Sequence, residues 1–320
     1  MRPGTIQVDG GTLETGWWGP GPADAPTIVL LHEGLGSVAL WRDVPERLAK
    51  ATGWGVFAYS RFGYGQSDPV KLPRPMSYMH DEARIVLPQV LQAAGIRRTV
   101  IVGHSDGGSI AAIYAGAVSP GRSRPIVSEG GPGALSPAMT DRVKPPETDR
   151  VTSSHQASDL TPHSPSATLT DMAAPVGNPQ LLGIITIAAH FFVEDLNLES
   201  IRQIKVTYET GDLRPRLARY HRDVDVAFHG WNGAWLDPRF RDFDITGFLP
   251  HIAVPVLALQ GADDPYGTDE QLRVFAAKTT APIETHLIPG AKHSPHLEAK
   301  DATLATITAF IADLKTGFPT

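Results

Sequence analysis

Short apolar runs alternate with stretches of helical spacing along most of this chain, and that alternation predicts the elements. Residues 5–18 alternate loosely between apolar and polar and are broken by Gly10-Gly11, which predicts a hairpin at a sheet edge. Residues 20–26 form a proline-rich linker, and 27–31 (TIVLL) read as a buried strand. Residues 38–50 have helical spacing, 55–59 are the next strand, and 61–68 (RFGYGQSD) a glycine-rich loop. Residues 78–94 predict a helix kinked at Pro88 and ended by Gly95. A strand centred on 100–102 then runs through Gly103-His104-Ser105-Asp106-Gly107 into a helix over 109–117, built of small and apolar residues.

Between 121 and 179 the periodicity dissolves into proline, serine, threonine and aspartate, which predicts a long irregular surface insertion. Residues 182–192 (LGIITIAAHFF) restore a strand. Residues 194–248 read as helical and aromatic, with Tyr208, Tyr220, Phe228, Trp231 and Trp235, the apolar area expected of a lid over a pocket. Strands at 254–260 and 284–288 and helices at 269–278 and 297–314 complete the chain. Strand–helix alternation at this spacing implies right-handed crossovers and a mostly parallel sheet flanked by helices, whose ligands bind beyond the carboxyl ends of the strands. The expected division is a core of 1–120, 180–193 and 249–320, the insertion at 121–179 and the lid at 194–248.

Composition narrows the function. The chain of 320 residues carries 28 basic and 34 acidic residues, a formal charge of −6 with no basic tract, so neither nucleic acid nor a membrane is expected as a partner. Cysteine is absent, which excludes disulfides, thiolate metal sites and a cysteine nucleophile. No run of 18 apolar residues occurs, and the expectation is a soluble, cytoplasmic protein acting on a small molecule.

Residues 103–107 carry the chemistry. Gly-x-Ser-x-Gly between a strand and a helix describes a sharp turn that holds a serine hydroxyl clear of the sheet, and a Cβ on either glycine would collide with neighbouring backbone. Ser105 is the candidate nucleophile. A serine hydroxyl needs a histidine to take its proton and a carboxylate to orient that histidine. Two loops after strands supply them: 261–265 offers Asp263 and Asp264, and 289–296 offers His293 and His296.

With these motifs in order, the chain resembles the α/β-hydrolase superfamily, in its group of serine esterases, lactonases and carbon–carbon bond hydrolases. The resemblance covers roughly 27–117 and 182–314. It implies the α/β-hydrolase fold with a helical lid, a triad of Ser105, Asp264 and His293, and an oxyanion hole from the backbone N–H groups of Gly34 and Asp106. Many members carry His-Gly in the first loop where this chain has His32-Glu33. Glu33 is expected to pair with Arg61, the alternatives being contact with a polar substrate group or, through water, with a second carbonyl. His190, Trp231 and Trp235 are the other candidate pocket residues. His32 is expected to bond within its loop, His104 to pack behind the elbow, and His221 and His229 to share one side of a lid helix. No metal or cofactor is expected.

The expected activity is therefore hydrolysis of a small, fairly apolar ester, thioester or lactone through an acyl-enzyme. Carbon–carbon hydrolysis of a vinylogous diketone is the alternative chemistry, and it would favour basic groups in the pocket. A non-catalytic ligand-binding member of the fold is the alternative of a different class.

Overall fold

A computed structural model describes residues 1–118 and 179–317; the insertion expected at 121–179 lies outside the described residues but for its last position. The described strands form one eight-stranded sheet in the order β1-β2-β4-β3-β5-β6-β7-β8. Strands β1 (Arg2–Val8) and β2 (Gly11–Trp18) make the antiparallel edge hairpin, in register Val8 to Gly11, and β2 runs antiparallel to β4 (Gly55–Tyr59). From β4 onward every pairing is parallel, through β3 (Thr27–Leu31), β5 (Arg98–His104), β6 (Gln180–Ile187), β7 (Val256–Gly261) and β8 (Ile283–Ile288). Strands β3, β4 and β7 are buried along their whole length, as their unbroken apolar runs require of strands covered on both faces. On one face Ile28, Val56, Val102 and Leu257 pack with Leu48 of α1 (Val44–Thr52) and with Ile307 and Phe310 of α10 (Lys300–Gly317).

Two expected helices are divided and one expected strand is shortened, each for a local reason. The helix of 38–50 becomes a 3-10 turn, Val38–Trp41, followed by α1, because Pro45 has no N–H to continue a ladder and sits instead in the first turn of α1. The helix of 78–94 becomes α2 (Tyr78–Asp81), a wide π turn over Glu82–Val86 and α3 (Leu87–Ala93). The widening falls just ahead of Pro88, whose ring would strike the carbonyl of Arg84 in a regular helix. The strand of 182–192 stops at Ile187, because Ala188 takes a left-handed conformation (φ 50°) and turns the chain out of the sheet.

Between β6 and β7 lie α5 (Asp195–Thr210), α6 (Leu213–Leu217) and α7 (Val224–Trp235), followed by 3-10 turns at Pro238–Asp242 and Thr246–His251. The helical reading of 194–248 therefore holds to Trp235 and shortens into tight turns beyond it. Helix α4 (Asp106–Val118) begins three residues earlier than its small-residue pattern suggested and is buried from Asp106 to Gly116. Helix α8 (Glu270–Lys278) follows β7, and α9 (Pro295–Glu298) leads into α10. No described helix is long and apolar enough to cross a membrane.

Candidate active site

Ser105 occupies the turn between β5 and α4 with φ 52°, a conformation costly for a residue with a side chain. Its surroundings hold it there: the Ser105 N–H donates to the carbonyl of Ile187 (2.8 Å), and its own carbonyl accepts from the N–H of Gly108 (2.8 Å) and Ser109 (3.1 Å). The flanking glycines are required by close approach. A Cβ on Gly103 would lie 2.1 Å from the carbonyl oxygen of Gly107, and one on Gly107 would lie 2.0 Å from that of Leu31.

The loops after β7 and β8 bring their side chains to this turn. His293 Nδ1 lies 3.0 and 2.9 Å from the two carboxylate oxygens of Asp264, and Nε2 lies 3.0 Å from Ser105 Oγ. An ionised carboxylate only accepts, so Nδ1 carries the hydrogen and Nε2 presents its lone pair to the serine hydroxyl. Asp264 also accepts from the N–H of Tyr266 (2.8 Å) and from Gln260 Nε2 (2.6 Å). Burial pushes its carboxyl upward, but the hydrogen bond and charge of His293 and the Tyr266 N–H outweigh this and hold it below the ordinary value. Asp263 points elsewhere: it is exposed, and its N–H bonds the carbonyl of Ala291.

Ser105 opens on a cavity of about 480 Å³. Its floor comes from the loops after the strands, with Glu33, Gly34, Asp106, His190, Tyr266 and His293; its roof comes from α5 to α7, with Ile201, Ile204, Leu213, Trp231 and Trp235. Trp231 lies so close to Gly34 that a Cβ there would be 2.1 Å from the indole nitrogen. His190 stacks on the His293 ring (centroids 5.7 Å apart, planes at 18°), and its Nδ1 accepts from Asn197 Nδ2 at 3.3 Å. Burial, then the nearby charges of His293 and His104, push its proton affinity down to about 3, so the ring is neutral.

One expectation about the first loop is corrected. Arg61 does not pair with the Glu33 carboxylate; its guanidinium donates to the main-chain carbonyls of His32 (2.6 Å) and Glu33 (2.9 Å) and faces the buried carboxylate of Asp106 at 4.0 Å. The fork geometry of a buried guanidinium suits two adjacent loop carbonyls, and the Glu33 side chain turns the other way, toward His104 and the cavity. Asp106 is itself fixed by Tyr78 Oη (2.7 Å) and by Trp235 Nε1 (3.2 Å), and burial raises its carboxyl above the ordinary value despite these partners.

His221 and His229 do not share a helix face. His221 precedes α7 and spans two loops, accepting from the Gly65 N–H at Nδ1 and donating from Nε2 to the Leu35 carbonyl, both at 3.0 Å. His32 bonds the carbonyl of Glu33 within its loop and also accepts the Arg61 N–H. Among the described residues no group of three or more His, Asp or Glu is arranged to hold a metal ion. Sequence reasoning missed Tyr266, Gln260, Asn197 and the Arg61–Asp106–Tyr78 cluster. Gln260 gave a signal, being a polar residue at the end of an otherwise apolar buried strand, where it must find a partner. Tyr266 and Asn197 gave none.

A parallel sheet with a strained serine at the end of its fifth strand, and acid and histidine on the loops of its last two, defines the hydrolase class of open α/β proteins. The sequence profile of the alpha/beta hydrolase fold matches residues 26–300, and the chain belongs to that family. It is 31% identical over 300 residues to 2-succinyl-6-hydroxy-2,4-cyclohexadiene-1-carboxylate synthase of Serratia proteamaculans, covering 92% of this chain and 96% of that one. A shorter match, 34% identical over 110 residues, is to a Caulobacter segnis protein provisionally named as the carbamate hydrolase RutD; it spans 34% of this chain and 38% of that protein. Among solved structures, a carboxylesterase of the thaumarchaeon Nitrososphaera gargenis superposes with a TM-score of 0.63 at 16% identity, over 98% of this chain and all (100%) of that one, which shows the shared fold.

Proposed function

We propose that this chain is a serine hydrolase that cleaves a small, fairly apolar ester, thioester or lactone through an acyl-enzyme. The observation that carries the reading is the unbroken hydrogen-bonded run Asp264–His293–Ser105 at the floor of an aromatic cavity. In this reading His293 takes the proton of Ser105 as Oγ attacks the carbonyl, and Asp264 stabilises the imidazolium. His293 then gives the proton to the leaving group, and water, deprotonated by the same histidine, clears the acyl group.

The oxyanion of each tetrahedral intermediate is assigned to the N–H groups of Gly34 and Asp106. Arg61 and His32 both draw the Glu33 carbonyl to one side. Because a trans peptide directs its N–H opposite to its C=O, the Gly34 N–H faces away from Arg61, and Gly34 lines the cavity with Ser105. Each such donor is worth on the order of 3 kcal/mol of transition-state stabilisation. Residues 194–248 act as the lid, and the cytoplasm is the proposed compartment.

The decisive experiment is labelling with a fluorophosphonate probe read by intact mass. One adduct is expected on the wild-type protein and none on Ser105→Ala; an adduct persisting in the variant, or a folded wild-type protein that never labels, would remove the proposal.

A second reading rests on Arg216 and Lys292, which line the same cavity, and on the relative from Serratia, whose named product is a ring carboxylate. The triad would then cleave a carbon–carbon bond of a diketone whose acid tail meets these cations. Turnover of a ring-fission diketone acid, weakened by Arg216→Ala, with no turnover of short esters, would favour it.

A further inference from the structure

The residue that departs from the common pattern of the first loop, Glu33, has a partner that the triad does not use. Its carboxylate, 30% exposed and on the cavity wall, lies 3.4 Å from Nδ1 of His104, whose side chain is 2% exposed. His104 is the last residue of β5, immediately before Ser105. On its other side His104 Nε2 lies 2.7 Å from the main-chain oxygen of His293. The contacts thus run from the loop that carries Gly34, through the residue beside the nucleophile, to the backbone of the histidine loop.

Tautomer logic constrains this run. A carbonyl oxygen can only accept, so His104 Nε2 carries a hydrogen. In a neutral ring Nδ1 would then show a lone pair to the Glu33 carboxylate, placing two acceptors face to face at 3.4 Å. A proton on Nδ1 removes the conflict, and Nδ1 meets no other acceptor: it forms no hydrogen bond of good geometry, and the separation from Glu33 is that of an ion pair. The remaining groups facing His104 do not offer a competing carboxylate. The His293 ring lies 5.2 Å away, and the His296 ring of α9 meets it edge-on at 4.6 Å. Burial, followed by the charge of His104, holds His296 well below the ordinary histidine value and therefore neutral. Burial pushes the Glu33 carboxyl up, but the close approach and charge of His104 and the charge of His32 outweigh it and hold it below the ordinary carboxylate range.

We propose that Glu33 and His104 form a second carboxylate–imidazole pair, holding a proton at His104 Nδ1, which positions His293 through its main-chain carbonyl and ties the oxyanion loop to the histidine loop. Glu33 is on this account a positioning residue. The inference rests on the serine-hydrolase reading for its kinetic consequence, while the pair itself is a statement about two side chains. It also explains the acidic residue of the first loop: a glycine there could not reach His104, and the neutral His104 ring would be free to flip its hydrogen away from His293.

The test uses Glu33→Ala and Glu33→Gln, the latter because its carboxamide N–H can donate to the Nδ1 lone pair of a neutral His104. Heteronuclear NMR of the imidazole rings, with His104 assigned from a His104→Gln variant, reads the protons directly; hydrolysis of p-nitrophenyl acetate gives kcat and KM. Both His104 nitrogens should be protonated in the wild type at neutral pH and only one in Glu33→Ala. In Glu33→Ala kcat should fall about 10-fold with KM unchanged, as expected when a catalytic side chain is misplaced from a distance, and Glu33→Gln should restore most of it. A wild-type His104 ring bearing a hydrogen on only one nitrogen would overturn the proposal. So would an unchanged kcat in Glu33→Ala, a change in KM alone, or a Glu33→Gln variant no better than Glu33→Ala. A doubly protonated His104 in a wild-type protein that neither labels with a fluorophosphonate nor turns over the ester would uphold the pair and count against the hydrolase reading instead.

Discussion

At the scale of single residues, the site is a set of hydrogen-bond donors and acceptors whose directions are fixed by their other partners. Asp264 accepts from His293 while Gln260 and the Tyr266 N–H hold both of its oxygens in place. Asp264→Asn offers an amide that can donate where only acceptance serves, which would turn His293 to the wrong tautomer. The expected outcome is a loss of kcat of about 10,000-fold with KM little changed, measured by steady-state ester hydrolysis. The grouping of Ser105, Asp264 and His293 was legible in the sequence because each lies in the turn or loop that follows a strand, and in a familiar order. The direction of Glu33 was not, because a carboxylate in the loop after one strand and an arginine in the loop after the next say nothing about which carbonyls that arginine already serves.

At the scale of elements, the two divided helices break at prolines. The periodicity of residues 78–94 is continuous, and only the ring of Pro88 forces the wide turn before α3. Glycines differ in the same way. Gly230 and Gly233 both lie in α7, but a Cβ on Gly230 would meet Arg74 Nε at 2.8 Å, whereas one on Gly233 would meet nothing within 4 Å. Gly233→Ala should therefore stabilise the protein by about 0.5–1 kcal/mol, through the lower entropy of the unfolded chain, with activity retained. Gly230→Ala should not. Thermal melts of the two variants side by side decide the point, and equal shifts would contradict the packing described for α7.

At the scale of the molecule, the mostly parallel sense of the sheet was legible because buried strands are unbroken apolar runs alternating with helices, whereas the lateral order of the strands came only from the structure, and the roof of the cavity was legible only as aromatic content. Which aromatic residues face Ser105 depends on how α5 to α7 pack, and that is a tertiary fact. The whole fold also carries a dependence on pH. His32, His190, His221 and His296 are buried, and burial is the largest cause lowering the proton affinity of each below the ordinary value of 6.5. The folded chain keeps them neutral and the unfolded chain protonates them, so stability is full above about pH 6.5 and is lost as pH falls below it. Each contributes about 1.4 kcal/mol per pH unit where it is charged only when unfolded, and His190 does so down to about pH 3. Asp106 and Glu82, pushed up by burial, act in the opposite sense, while carboxyls held below the ordinary value, such as Asp264, act in the same sense as the histidines. Urea unfolding at a series of pH values should show stability falling on acidification, and His190→Asn should shallow the slope; a flat profile would contradict the buried neutral state.

The two edges of the sheet bear on how the protein behaves at high concentration. Strand β8 is exposed from Glu284 to Leu287, and its outer residues include the Glu284 carboxylate beside the His286 ring at 3.6 Å. At the opposite edge β1 exposes Arg2, Pro3, Gly4 and Thr5. A second sheet adding to either edge would have to strip water from charges at one end and meet a missing N–H at the other. The unpaired backbone at the border of any open sheet is a template for fibrous growth, and here the charge at one border and the proline at the other close it.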